Sequence, residues 1–199
     1  MSVEFYEKNA DTFIAQTVDV DMTGLYQRFC KHLHSGASVL DAGCGSGRDA
    51  LAFSSMGYDV VAFDASAKMV ATASKRSCCP VYKMTFENME LGREFDGIWA
   101  CASLLHVPRP QLPEILKRLM DILKPTGALY ASFKYGDQER EKDGRYFNDM
   151  DDAQLERIIS FLPMVHLEEI WTTADQRPNR RSEMWLNMIL TLRSENKIR

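Results

Sequence analysis

Seven residues constrain this chain more than any others: Asp41-Ala42-Gly43-Cys44-Gly45-Ser46-Gly47, three glycines alternating behind an aspartate. A short buried-strand pattern, Ser38-Val39-Leu40-Asp41, runs straight into them. Helix-compatible residues follow from Arg48 to Met56, and Gly57 ends them. Glycines where a strand meets a helix let the backbone turn sharply and let a ligand approach it closely. A ligand-binding strand–turn–helix is therefore the first expectation.

The flanking sequence repeats the same alternation. Asp59 to Phe63, closed by Asp64, reads as a second strand, and Ser66 to about Lys75 as a helix. Val81 to Met84 and Asp96 to Cys101 read as third and fourth strands. Pro110 and Pro113 open a helix whose buried stripe is Leu112, Ile115, Leu116, Leu119, Met120 and Leu123. Lys124 to Gly127 predicts a turn and Ala128 to Phe133 a fifth strand. Upstream, Met22, Leu25, Tyr26, Phe29 and Leu33 share one helical face. Strands alternating with helices at this pace predict a doubly wound α/β fold, a mostly parallel sheet covered on both faces. Residues 134–150 are polar without an apolar period and predict a loop. Leu155, Ile158, Ile159 and Leu162 mark a further helix. Val165 to Thr173 and Trp185 to Leu192 read as strands. The link between them contains Pro178 and is too short for a helical crossover, so they are expected to pair antiparallel.

With 199 residues the chain is long enough to bury a core unaided and is expected to be one domain, 1–199. That domain divides into an N-terminal helical cap (1–35), a cofactor-binding core (36–133) and a substrate-side loop, helix and hairpin (134–199). A net charge of −4 argues against a global field for nucleic acid or anionic lipid, so no broad nucleic-acid surface is expected. No apolar stretch approaches the roughly 20 residues that span a bilayer, and the N-terminus lacks the pattern of a signal peptide. Five cysteines at irregular spacing, without C-x-x-C, predict reduced thiols, no metal site and a cytoplasmic location.

Two ligands suit the glycine turn differently. A dinucleotide-binding turn wants its third glycine three places after the second; that place is Arg48 here. Asp41 adds an anion close to the ligand, awkward for a pyrophosphate but suited to a sulfonium or ammonium group. Asp64 ends the next strand 19 residues after Gly45, where a carboxylate can accept both ribose hydroxyls. Taken singly, Asp41 could be a solvated strand-end charge and Asp64 a helix N-cap. On consecutive strand ends of one sheet, they point into one crevice.

These residues carry a family resemblance. Val39 to Gly47 resembles the first motif of class I S-adenosylmethionine-dependent methyltransferases, and Val61 to Ser66 their second. Glu94 to Trp99 resembles the fourth-strand motif, and Leu123 to Leu129 the turn into the fifth strand. Length and plan are similar to the small tellurite-resistance-type and related methyltransferases. The resemblance implies a strand order of 3-2-1-4-5-7-6, with the last strand antiparallel, N-terminal helices, and S-adenosylmethionine as cofactor with S-adenosylhomocysteine as product. It assigns Gly43, Gly45 and nearby backbone to the methionine part and Asp64 to the ribose, with Asp41 and Gly47 also among the cofactor-binding residues. Ala65, Met69, Thr85 and Phe86 fall to the adenine, and Cys101 and Ala102 to a close backbone approach. The sequence departs at Thr85, where many relatives carry Asp. Tyr6, Phe13 and Thr17 are expected to close over the site as a lid.

For the reaction itself, methyl transfer from a sulfonium asks mainly for alignment and exclusion of water. His106, after the fourth strand, is the candidate base or orienting group, or else a structural histidine before Pro108. Lys134 and Tyr135 leave the fifth strand at the ligand edge; Arg177, Arg180 and Arg181 gather near Trp171 and Trp185. Arginines beside aromatics suit a small anionic substrate; a solvated hairpin turn is the alternative. Two other functions stay open: a non-catalytic S-adenosylmethionine or S-adenosylhomocysteine sensor or partner subunit, and an NAD(P)-dependent oxidoreductase. The sequence carries no signal for oligomeric state.

Overall fold

The computed structural model describes residues 2–177 and 180–193; Pro178 lies outside them. In chain order the elements open with α1 (Ser2–Thr17) and α2 (Thr23–Cys30), then β1 (Ser38–Ala42), α3 (Arg48–Ser55), β2 (Asp59–Asp64), α4 (Ala67–Arg76), β3 (Val81–Lys83) and β4 (Phe95–Ala100). They continue with α5 (Leu112–Asp121), β5 (Leu123–Lys134), β6 (Glu139–Lys142), β7 (Arg145–Asn148), α6 (Asp152–Ser160), β8 (Val165–Ala174) and β9 (Met184–Leu192). Short 3₁₀ turns cover Leu104–His106 and Arg109–Gln111.

Seven strands form one sheet in the order β3-β2-β1-β4-β5-β9-β8. Counted within the sheet alone, that is the expected 3-2-1-4-5-7-6. β1 to β5 pair in parallel, while β9 runs antiparallel to both β5 and β8. The Lys124–Gly127 turn survives inside β5 as an excursion: Leu123 pairs with Phe95, and pairing resumes only at Ala128 with Gly97.

Both faces of the sheet are buried. On one, the stripe of α5 packs Leu112, Ile115, Leu116 and Leu119 against Ile98, Leu129 and Leu190. On the other, Phe29, Phe53 and Trp99 form a ring cluster, and Trp99 stacks on Tyr130 with centroids 3.9 Å apart. Removing one such side chain costs about 3–5 kcal/mol. The sheet is therefore a well-packed platform for the loops at its carboxyl edge. Among the described residues, no helix is long and apolar enough to cross a membrane.

One expectation fails. Residues 134–150 are not an irregular loop: β6 and β7 form an antiparallel hairpin, Glu139 opposite Asn148 and Lys142 opposite Arg145. Asp143 and Gly144 make its turn, both at positive φ (52° and 74°), the conformation that Asp-Gly favours in two-residue hairpins. The alternation escaped detection because charged side chains stack on the inward aromatics where apolar ones are usual. Arg140 and Arg145 both lie over the Phe147 ring.

Candidate functional site

A cavity of about 1380 Å³ opens at the carboxyl edge of β1, β2, β4 and β5. Ligand pockets usually measure ~300–1,000 Å³, so this one has room for two small molecules side by side. Gly43, Gly45, Asp64, Ala65, Met69, Thr85, Phe86, Cys101, Ala102, Tyr6, Phe13 and Thr17 all line it. His106, Lys134, Tyr135, Arg177 and Arg180 line it too.

Asp41 and Gly47 do not line it. Gly47 sits at the N-terminus of α3 with φ 76°, and a Cβ there would come within 2.9 Å of the Ala73 Cα. Its role is the close packing of α3 on α4. Gly45, by contrast, has open space where a Cβ would be, so it is the glycine that leaves room for a ligand. Asp41 is buried beneath the turn with Oδ2 lacking any hydrogen-bond partner. Burial, aided by the nearby Asp49 charge, pushes its carboxyl well above the usual range. It is neither a solvated strand end nor a wall of the cavity.

Asp64 lines the cavity at the end of β2. Its Oδ2 accepts the Gly45 N–H at 2.8 Å and its Oδ1 the Ser66 N–H at 2.9 Å. Each oxygen keeps a further lone pair for a hydroxyl. The N-cap of α4 is Ser66, whose Oγ accepts from Met69 N, so capping does not explain Asp64. Beside it, Phe86 meets Phe63 edge-to-face at 5.3 Å, an apolar flank for a base. Thr85 has its N–H and hydroxyl both on Asn88 Oδ1; at this position the wall offers no carboxylate.

After β4 the backbone is strained where it borders the cavity. Ala102 has φ 52°, and its N–H is held by Ser132 Oγ at 2.9 Å. A non-glycine residue in that region costs on the order of 1 kcal/mol and is kept only by its surroundings. The neighbouring Cys101 thiol is pushed up to about 12 by burial and by Asp49 and Asp41, so it stays protonated.

The roof is α1. Tyr6 bonds His106 Nε2 through its hydroxyl at 2.8 Å, and His106 Nδ1 lies 2.6 Å from the Tyr146 carbonyl. A carbonyl only accepts, so Nδ1 carries the hydrogen, and Nε2 accepts from Tyr6. Burial brings the imidazole down to about 4, the Tyr146 carbonyl resisting and Arg145 assisting. His106 is thus neutral with both nitrogens engaged, tying α1 to β7. The far end of α1 is tied down as well, by Arg48, whose Nη1 donates to Thr17 O at 3.0 Å.

The opposite wall brings the expected cations together and neutralises them. Lys134, only 7% exposed, donates to Asp175 (3.0 Å) and Glu183 (2.6 Å) and lies 3.9 Å from the Trp185 centroid. Arg177 grips Asp175 through Nε and Nη2, and Arg180 stands 3.8 Å from Glu183. Tyr135 is exposed and donates to Asp152. The expected anion cradle is therefore an internal ion-pair network rather than a free set of cations. Sequence inspection missed three groups: the buried Asp49, which accepts from Tyr26, Trp99 and Arg48; Arg109, which staples the hairpin by bonding Asn148, Asp137 and Asp149; and Arg145. The Asp143-Gly144 dipeptide was the signal that would have raised the hairpin and Arg145 with it.

Residues 39–127 match the family described as a methyltransferase domain. The chain is 37% identical over 98 residues to the malonyl-[acyl-carrier protein] O-methyltransferase of Pectobacterium atrosepticum, covering 48% of this chain and 38% of that protein. It is 32% identical over 110 residues to the mitochondrial ubiquinone biosynthesis O-methyltransferase of Schizosaccharomyces pombe, covering 51% and 39%. The chain thus spans well under half the length of these curated relatives. In fold it is similar to the Burkholderia thailandensis 1,6-didemethyltoxoflavin-N1-methyltransferase, solved with S-adenosylhomocysteine: TM-score 0.76, 19% identity, 96% of this chain and 85% of that one. The seven-stranded sheet order is that of a Rossmann-like methyltransferase fold, and residues 39–127, which carry the glycine turn and Asp64, are the part of the chain that matches the methyltransferase-domain family.

Proposed function

We propose that this chain transfers a methyl group from S-adenosylmethionine to a small anionic molecule held against the hairpin wall. The observation that carries it is the continuity of the cavity, from Gly45 and Asp64 at the strand ends to Arg145 and Lys134 on the far side. The residues present fit the cofactor. Gly45 leaves space, Asp64 keeps free lone pairs, and the unpartnered Asp41 oxygen lies under the turn where a cationic group is expected.

Bound there, the cofactor supplies an activated methyl on a sulfonium. The chain's own task is alignment and dryness. Asp64 and the Ala102 backbone fix one reactant, and the hairpin wall fixes the other. α1, latched through Tyr6 to His106, roofs the space between them. His106 is a positioning residue here, because Nε2 already holds the Tyr6 hydroxyl and Nδ1–H the Tyr146 carbonyl. An acceptor atom with no proton to lose, or one deprotonated in solution, suits such a site.

The test is calorimetry with S-adenosylhomocysteine on wild type and Asp64→Ala. Two charge-assisted hydrogen bonds are lost, so affinity should fall about 100-fold or more. A folded wild type that binds no S-adenosylhomocysteine refutes the proposal.

A further inference from the structure

We propose that Arg145 is the specificity-determining residue of this cavity and that it selects an acceptor bearing a carboxylate; this rests on the methyl-transfer reading of the same site. The guanidinium is buried, with 9% of the residue exposed. Yet among the described residues it forms no ion pair: its side-chain hydrogen-bond partner is the neutral Tyr6 hydroxyl, and its Nε is fully enclosed without a partner. Burying an unpaired cation is costly, and side chains that do so are usually paired. The other cations of this wall are paired even where they are less buried: Lys134 and Arg177 hold Asp175, and Arg140 holds Asp149 through two bonds.

The faces of Arg145 are covered. Its Cζ lies 4.3 Å from the Phe5 ring centroid and 5.1 Å from that of Phe147, so α1 and β7 clamp it between two aromatic rings. Such a clamp fixes the plane and leaves the terminal Nη groups for a ligand. A flat, oriented fork of donors matches a carboxylate through two parallel hydrogen bonds. The same corner holds the latch: Tyr6 packs on Phe5 at 5.4 Å and His106 on Phe147 at 5.3 Å. Because Phe5 belongs to α1, an acceptor bound to Arg145 would reach its seat at the point where the roof closes.

The experiment uses the whole chain saturated with S-adenosylhomocysteine, titrated calorimetrically with acetate, malonate, benzoate, benzamide and phenyl phosphate. At least one carboxylate should bind saturably, and benzamide should bind at least about tenfold more weakly than benzoate. Arg145→Met should lose about tenfold or more in carboxylate affinity while keeping S-adenosylhomocysteine binding. Arg145→Lys, which keeps the charge without the fork, should fall between, and it decides the matter if the Met variant does not fold. Carboxylate binding indifferent to both variants, no carboxylate bound at all, or phenyl phosphate preferred to every carboxylate overturns the proposal. Those failures leave S-adenosylhomocysteine binding intact; loss of that binding in the wild type would instead strike the methyl-transfer reading.

Discussion

The wall that carries Gly45 and Asp64 and the wall that carries Lys134 and Arg145 face each other across one cavity, and they are made differently. The first is backbone. Its turn is stitched to β2 by the Gly43 and Cys44 amides on the Phe63 carbonyl, and Asp64 in turn holds the Gly45 amide. Its shape follows from strand pairing and from glycines. The second is side chains from α1, the β6–β7 hairpin and the β8–β9 pair. Its cations are neutralised by Asp175 and Glu183 at Lys134 and Arg177, and among the described residues no carboxylate reaches Arg145. A wall of main chain can serve one ligand common to a family, whereas a wall of side chains can change with each acceptor without disturbing the sheet.

The sharpest way to break that contrast is Lys134→Met. If the second wall depends on internal ion pairs, removing the lysine leaves Asp175 and Glu183 short of a cation in a buried place, and stability should fall by about 3–5 kcal/mol in denaturant titration. S-adenosylhomocysteine affinity should change little; a large loss of it would show that the two walls are not independent.

The next effect concerns the latch. Burial lowers the folded His106 from its ordinary 6.5 to about 4, so the fold favours the neutral imidazole. Its stabilisation is complete above pH 6.5 and is lost as pH falls through that window. By linkage, the wild type should lose roughly 3 kcal/mol between pH 6.5 and 4 from this group. His106→Gln should flatten that part of the profile. An unchanged slope would mean that the imidazole is solvated and the latch open in solution.

A smaller effect isolates the hairpin. Gly144 adopts φ 74°, so Gly144→Ala should cost about 1 kcal/mol. It should weaken carboxylate binding more than S-adenosylhomocysteine binding, since Arg145 follows the turn directly. Equal losses at both walls would argue against a separately built acceptor side.

Local chemistry made the first wall legible. A strand pattern, alternating glycines and an aspartate at the end of the next strand are features of consecutive residues. Right-handed parallel connection then leaves little freedom in where their ends meet. Even so, sequence could not tell a glycine that makes room, Gly45, from one that packs a helix, Gly47. That distinction depends on Ala73, far along the chain. Nor could it show that Asp41 is sealed beneath the turn rather than exposed in the crevice.

The second wall was hidden for a related reason. Arg145, Lys134 and Arg177 look alike in sequence, as basic residues near aromatics. What separates them is whether a carboxylate from another element arrives within reach: Asp175 and Glu183 come to Lys134 from the β8–β9 link, and none comes to Arg145. The sequence by itself determined the alternation of strands and helices and the glycine turn at one sheet edge, because periodicity and turn chemistry act over a few residues; the strand order came from the family resemblance. Only the tertiary structure decided which charges are already paired and which one is left for a ligand, because pairing is a property of distances between segments that the chain brings together only on folding.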